Sequence, residues 1–363
     1  MIFIWGENMK GVILSGGHGT RLRPLTHTGP KQLIPIANKP VIVYAIEDLR
    51  DAGITDIGII LGTNMPGKIK DALGDGSKYG VKITYIMQGE PKGLAHAAAT
   101  AKEFVDDDSF VMYLGDNILK SGIEEFVEGF DESNFSSRLL LQEVEDPRQF
   151  GVAELNDHGK IINLVEKPEH PKSNLALVGI YLFKNNIFEA INKIKPSWRD
   201  ELEITDAIQK LIDDGYNVDS FVVQGWWKDT GKPEDVLDAN QLILETISSD
   251  IKATVEDKVK IKGNVIIGEG TVIKEGSYIK GPAIIGENCD IKGYVGPYTS
   301  IGDNTKLIES EIDSSIIIGN SVIQSDKRIT ESLLGLNSRI ISNKESYPKG
   351  RSFVIGENSI VNL

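Results

Sequence analysis

Short aliphatic runs and amphipathic stretches alternate along the first two-thirds of the chain. Runs at residues 11–14, 56–61, 81–87, 110–114 and 139–144 predict strands, and the periodic stretches 41–52, 93–105 and 123–130 predict helices between them. Strands alternating with helices form βαβ units on a mostly parallel sheet. Such sheets hold ligands beyond the carboxyl ends of their strands. Residues 15–21, 88–93 and 115–117 follow predicted strands and are the first places to look for chemistry. Residues 146–232 add strands at 151–155, 161–166, 177–183 and 221–224 and a helix near 204–214, and 233–246 reads as an exit helix.

Near residue 250 the texture changes to a six-residue beat. Val255, Ile261, Ile267, Ile273, Ile279, Ile285 and Ile291 lie six apart; the beat then shifts and resumes at Val295, Ile301 and Leu307, with a fragment at Ile355 and Val361. Four residues after an aliphatic position stand Val265, Thr271, Ser277, Ala283, Cys289, Thr299 and Thr305, and glycine often follows the aliphatic residue directly, as at Gly268, Gly286, Gly296, Gly302 and Gly356. Hexapeptide periodicity marks a parallel β-helix, one side of a triangular coil per repeat, with the aliphatic residues stacked into a continuous core. The expected organisation is a domain over 9–248 followed by a hexapeptide-repeat domain over 249–363.

Composition narrows the function classes. The chain has 363 residues, 40% of them hydrophobic and 25% charged, as in soluble globular proteins. No apolar run reaches bilayer length, and the opening MIFIWGEN lacks a basic n-region and a cleavage site, so neither a membrane partner nor a signal peptide is expected. A single cysteine, Cys289, excludes an internal disulfide and suits a reducing, cytoplasmic setting. A net charge of −14 argues against nucleic acid as partner. Against that background residues 10–46 contain no Asp or Glu, where about five would be expected at ordinary frequency. They carry Lys10, Arg21, Arg23, Lys31 and Lys39 with His18 and His27, a local positive site for a small anionic ligand.

Within that stretch GGHGTR follows a strand. Its glycines let the backbone approach a ligand and aim N–H groups at phosphate oxygens; a plain tight turn is the alternative. The pattern is neither GxGxxG nor GxxxxGK[ST]. Asp116, after FVMYL, and Asp229, in WWKDTG, stand where a divalent cation could be held, since one or two carboxylates with phosphate oxygens are usual Mg²⁺ ligands; a turn or cap role is the alternative for each. Nothing in the spacing brings the two together. Lys167 could hold a second phosphate and Glu166 sugar hydroxyls, or the two form a surface ion pair before Pro168. Gln88 and Gly93 could read a base edge or simply open a helix. The five histidines show no metal-ligand spacing and no nucleophile–base motif is present, which leaves direct displacement without a covalent intermediate.

Taken in order, GGHGTRLRPLT, PKQLIPIANKP, GDGSKYGVKITYIMQGEPKGLAHA, LGDN, FGV, VEKP, VGIY, DELEIT and WWKDTG resemble the sugar-phosphate nucleotidyltransferases over nearly the whole chain, in particular the long glucose-1-phosphate thymidylyltransferases with a hexapeptide tail. The resemblance implies an α/β, Rossmann-like nucleotidyltransferase domain with a mixed, mostly parallel sheet, followed by a left-handed parallel β-helix. It implies the Mg²⁺-dependent conversion of dTTP (with UTP as the alternative) and glucose 1-phosphate to dTDP-glucose and diphosphate, in a homo-oligomer. Carried over by motif, Leu14, Gly16, Gly17, Gly19, Thr20, Arg21 and Lys31 would hold the nucleotide, Gln88 and Gly93 its thymine, and Asp116 and Asp229 the metal. Asn117, Gly151, Glu166, Lys167, Val178 and Gly179 would line the sugar phosphate site; Arg21, Lys31, Lys167 and Asp116 would carry the chemistry. His18 and His96 stand where relatives often have Ser and Gln, which leaves base preference open towards UTP. Residues 251–363 contain no His, so the His general base needed for acetyl transfer in some hexapeptide tails is lacking there. Uridylyl transfer, mannose-1-phosphate guanylyl transfer and a non-catalytic sugar-nucleotide-binding regulatory subunit are the other readings.

Overall fold

The computed structural model describes residues 9–342. The repeat fragment at Ile355 and Val361 with Gly356, and the opening residues before Met9, lie outside them. The described chain forms two compact units. One comprises residues 9–18, 29–33 and 41–229, the other residues 19–28, 34–40 and 230–342.

The first unit is built on a nine-stranded mixed sheet. Met9–Ser15 runs parallel to Asp56–Gly62 on one side and to Ser109–Leu114 on the other, and Lys82–Gly89 extends the parallel block beyond Asp56–Gly62. Leu175–Phe183 joins antiparallel to Ser109–Leu114 and carries Gly151–Leu155, Ile161–Glu166, Ser137–Glu143 and Val218–Val222 onward from it. The inner strands read as unbroken apolar runs because both faces are covered. Ile13, Ile57, Ile59, Leu61, Val111 and Tyr113 pack on one face with Val43, Ile46 and Leu49 of the helix Val41–Asp51. Their strand neighbours Val12, Leu14, Ile60, Phe110 and Met112 pack on the other with Ala95, Ala98 and Ile208.

Several elements differ from expectation. The helix expected over 93–105 is two pieces, Leu94–Thr100 and Lys102–Val105, divided at Ala101. The one expected over 123–130 is the single turn Glu124–Val127, whose Phe126 and Val127 are buried. The strand expected at 221–224 lies at Val218–Val222, where it pairs in parallel with Ser137–Glu143; that partner fixes the register. The helix Pro66–Leu73 is additional; Pro66 opens it and Gly74, at φ 63°, ends it.

In the second unit short parallel strands stack in two sheets of six and eight. The register pairs Val265 with Ala283 and Ala283 with Thr299, so the second step is shorter than the first by two positions. The shift in the six-residue beat after Ile291 is therefore a shortened coil. Ile267, Ile273, Ile279, Ile285, Ile291, Val295, Ile301 and Leu307 are all fully buried. Thr271, Ser277, Cys289, Thr299 and Thr305 are buried as well, and Thr271 Oγ1 donates to the Gly286 carbonyl while accepting from the Cys289 N–H, tying successive turns. Val255, first in the beat, is 43% exposed because its strand is the first of its stack. The helix Pro233–Leu244 buries Asn240, whose Oδ1 accepts from the Ala37 N–H and the Ser300 hydroxyl and whose Nδ2 donates to the Tyr298 carbonyl. The turn at Ala37 and Asn38, both at positive φ, and the segment around it thus pack against the helix and the strand stack of the same unit. Among the described residues no helix is long and apolar enough to cross a membrane.

Candidate active site

The Gly-rich turn leaves the central strand at its carboxyl end. A Cβ on Gly16 would stand 2.6 Å from Gln88 Oε1 and 3.5 Å from the Gly62 nitrogen, so three strand ends converge on this glycine. A Cβ on Gly17 would lie 3.5 Å from Lys31 Cε, which sets the lysine stem alongside the turn. From there the Lys31 ammonium reaches the Asp116 carboxylate at the end of the neighbouring strand.

Asp116 is only 7% exposed and Asn117 2%. Trp227 Nε1 donates to Asn117 Oδ1 at 2.5 Å, and Asn117 Nδ2 donates to Asp116 Oδ1 at 3.1 Å. Burial alone would raise the Asp116 pKa; the Lys31 charge and its hydrogen bond, with help from backbone and Asn117 donors, outweigh it and hold the carboxyl below its ordinary value. The short strand that follows one metal candidate is paired with the strand that carries the other. Asn117–Leu119 pairs antiparallel with Trp227–Asp229, and Asp229 stands opposite Asn117, next in the chain to Asp116. Neither short strand was expected, because so few residues carry no readable period.

The second cluster gathers around Glu166. Lys167 Nζ lies 3.5 Å and Arg199 Nη1 3.6 Å from Glu166 Oε1, and Thr205 Oγ1 donates to Oε2 at 3.2 Å. Arg199 also pairs with Glu201 and with buried Glu203. Burial raises the Glu166 pKa, and Glu203 adds to it, against the opposing pull of Lys167, Thr205 and Arg199. Gly151 belongs here, since a Cβ on it would lie 2.5 Å from Thr205 Cγ2 and 3.2 Å from Glu166 Oε2. Lys167 itself sits at φ 42°, a conformation costly for a side-chain-bearing residue. Arg199 and Thr205 were missed from sequence; the DELEIT motif containing Thr205 was the available signal. Val178 is fully buried, and Gly179, at φ 83° in an irregular part of its strand, leaves space beside Leu114 and Asn117 Nδ2.

At the end of Lys82–Gly89, Gln88 Nε2 lies 3.2 Å from His96 Nδ1. Gly93 opens the following helix at φ 100°, and a Cβ there would stand 2.4 Å from the Leu202 carbonyl, so this glycine has a packing reason of its own. Leu14, Gly16, Gly17, Lys31, Gln88, Gly93, Asp116, Asn117, Gly151, Glu166, Lys167, Val178, Gly179 and Asp229 all belong to the first unit. Gly19, Thr20 and Arg21 belong to the second, where Gly19, at φ 62°, opens the turn Thr20–Leu22, its carbonyl accepts from Thr26 Oγ1, and Arg21 is exposed.

A glycine turn at a strand's carboxyl end, an ion pair of Lys31 with Asp116 beside it, and a second cluster of charged side chains around Glu166 mark the candidate active site of the first unit. The chain matches the nucleotidyl transferase family over residues 10–246 and belongs to it. It is 55% identical to the low-salt glycan biosynthesis nucleotidyltransferase Agl11 of Haloferax volcanii, over 98% of this chain and 100% of that one. It is 48% identical to a glucose-1-phosphate thymidylyltransferase of Streptomyces antibioticus, over 98% and 99%. A solved Bacillus anthracis structure, assigned as a glucose-1-phosphate thymidylyltransferase and holding a sucrose, matches with a TM-score of 0.62 at 40% identity, over 67% of this chain and 98% of that one. The protein is a sugar-phosphate nucleotidyltransferase.

Proposed function

We propose that the protein makes dTDP-glucose and diphosphate from dTTP and glucose 1-phosphate. The observation that carries this reading is the Lys31–Asp116 ion pair beside the glycine turn at the strand ends of the first unit, with Glu166, Lys167 and Arg199 as a separate cluster. A phosphate oxygen of the sugar phosphate attacks the α-phosphorus in line; the bond to the β-phosphate breaks and diphosphate leaves. Transfers of this kind need positioning and charge neutralisation more than covalent help. In this reading Gly16, Gly17 and Lys31 hold the triphosphate, while Lys167 holds the sugar phosphate and Glu166 accepts from sugar hydroxyls. Gln88 and Gly93 hold the thymine.

Asp116 and Asp229 fit Mg²⁺. Asp116 is kept ionised beside Lys31, and Asp229 lies on the strand paired with the one that follows Asp116. Two carboxylates completed by phosphate oxygens and water are the donor set this ion takes. Bound there, Mg²⁺ would neutralise phosphate charge. The stacked strands of the second unit are read as a left-handed β-helix that serves structure and assembly into a homo-oligomer. The pairing of Val265 with Ala283, three hexapeptides on, supports that reading; the next partner, Thr299, falls just short of three more.

Diphosphate release across a grid of nucleoside triphosphates and sugar 1-phosphates with Mg²⁺ tests the substrates. dTTP with glucose 1-phosphate should give the highest kcat/KM, with UTP next. A higher value for GTP with mannose 1-phosphate overturns the substrate assignment.

A further inference from the structure

Gln88 ends its strand and His96 lies in the first turn of the helix that follows, with Gln88 Nε2 3.2 Å from His96 Nδ1. With the Gln88 amide nitrogen facing the ring, Nδ1 is the acceptor and the ring is the neutral tautomer with its proton on Nε2. Burial and the nearby Lys92 ammonium push the His96 pKa below its ordinary value, which favours that neutral ring. Gln88 Oε1 is turned to Gly16, where a Cβ would stand only 2.6 Å away. The Gln88 carbonyl therefore flanks the glycine turn.

We propose that His96 is a positioning residue that holds the Gln88 carbonyl towards the base and thereby selects pyrimidines bearing an N3–H, thymine and uracil, over cytosine. Thymine and uracil offer N3–H as a donor to that carbonyl; cytosine offers an N3 lone pair, so two acceptors would face each other. The inference rests on the reading of Gln88 as a base contact. Gln at position 96 has a side-chain carbonyl that can accept from Gln88 Nε2 in the imidazole's place, whereas Leu cannot.

The test is kcat/KM for dTTP and for dCTP, each with glucose 1-phosphate and Mg²⁺, in the full chain and in His96→Leu, His96→Gln and Gln88→Ala. His96→Leu should lower the dTTP-to-dCTP ratio roughly tenfold, the scale of one lost polar discrimination. The loss should come through the KM for dTTP, with the KM for glucose 1-phosphate within about twofold. His96→Gln should restore the ratio, and His96→Ala gives the same reading should leucine prevent folding. An unchanged ratio in His96→Leu, or a His96→Gln as impaired as His96→Leu, overturns the inference. A Gln88→Ala enzyme with the wild-type ratio overturns the base-contact reading itself. Collapse in Gln88→Ala with no change in His96→Leu removes only the role of His96.

Discussion

Lys31 and Asp116 neutralise each other where little water reaches, so deleting either removes half of a mostly buried ion pair. Lys31→Met should reduce kcat by about 10²-fold or more, the usual effect of removing one fixed donor to developing charge. Asp116→Ala should abolish turnover; normal steady-state activity at ordinary Mg²⁺ would remove it from the metal site. Lys167→Ala should raise the KM for the sugar phosphate by roughly tenfold and leave the KM for the nucleotide nearly unchanged. Asp48 is a separate case. Burial, with Glu124, Asp51 and Glu47 nearby, lifts its pKa from 3.8 to about 7 despite a 2.7 Å hydrogen bond from Tyr113 Oη. The folded state therefore holds this proton more tightly than the unfolded chain. Its contribution to stability is complete below pH 3.8 and is lost as pH rises to about 7. The loss is at most about 4 kcal/mol. Asp48→Asn, which keeps an acceptor for Tyr113, should be more stable than wild type at pH 8 and should flatten the fall between pH 4 and 7 in urea titrations.

At the scale of elements, the hexapeptide beat was readable because each coil repeats one environment. Gly286 has no room for a side chain, since a Cβ would stand 2.1 Å from Asp303 Oδ1 and 2.8 Å from its nitrogen. Asn288, Asn304, Asn320 and Asn337 form a further ladder, all at positive φ and each one coil beyond the last, with Gly270 holding the same conformation one coil before Asn288. Asn enters the left-handed region more readily than other side chains, so this recurrence was a usable sequence signal that went unread. Ile291→Ala, in the fully buried stack, should destabilise the second unit by about 2–5 kcal/mol in denaturant titrations. Asn304→Val should cost about 1–2 kcal/mol, because only its corner conformation is disturbed. The missed strands in the first unit are short ones, Asn117–Leu119 and Trp227–Asp229, held by pairing with each other rather than by their own pattern.

For the molecule as a whole, ligand linkage gives an overall check on the site. At 100 times its Kd, dTTP with Mg²⁺ should stabilise the fold by about 2.7 kcal/mol, seen as a rise in Tm, and Asp116→Ala should abolish most of it. The α/β character, the parallel strand block, the strand stack and the order of the motifs followed from the sequence, because periodicity and glycine placement are local and repeated. The acid-free stretch from Lys10 to Ile46 was legible too, but only as an absence of negative charge. Tertiary structure decided how it is used. It set Lys31 on Asp116, brought Asp229 opposite Asn117, added Arg199 and Thr205 to Glu166, and divided the stretch between two compact units. Each of these depends on pairing or packing between residues far apart in the chain, and spacing along a sequence carries no record of such distances.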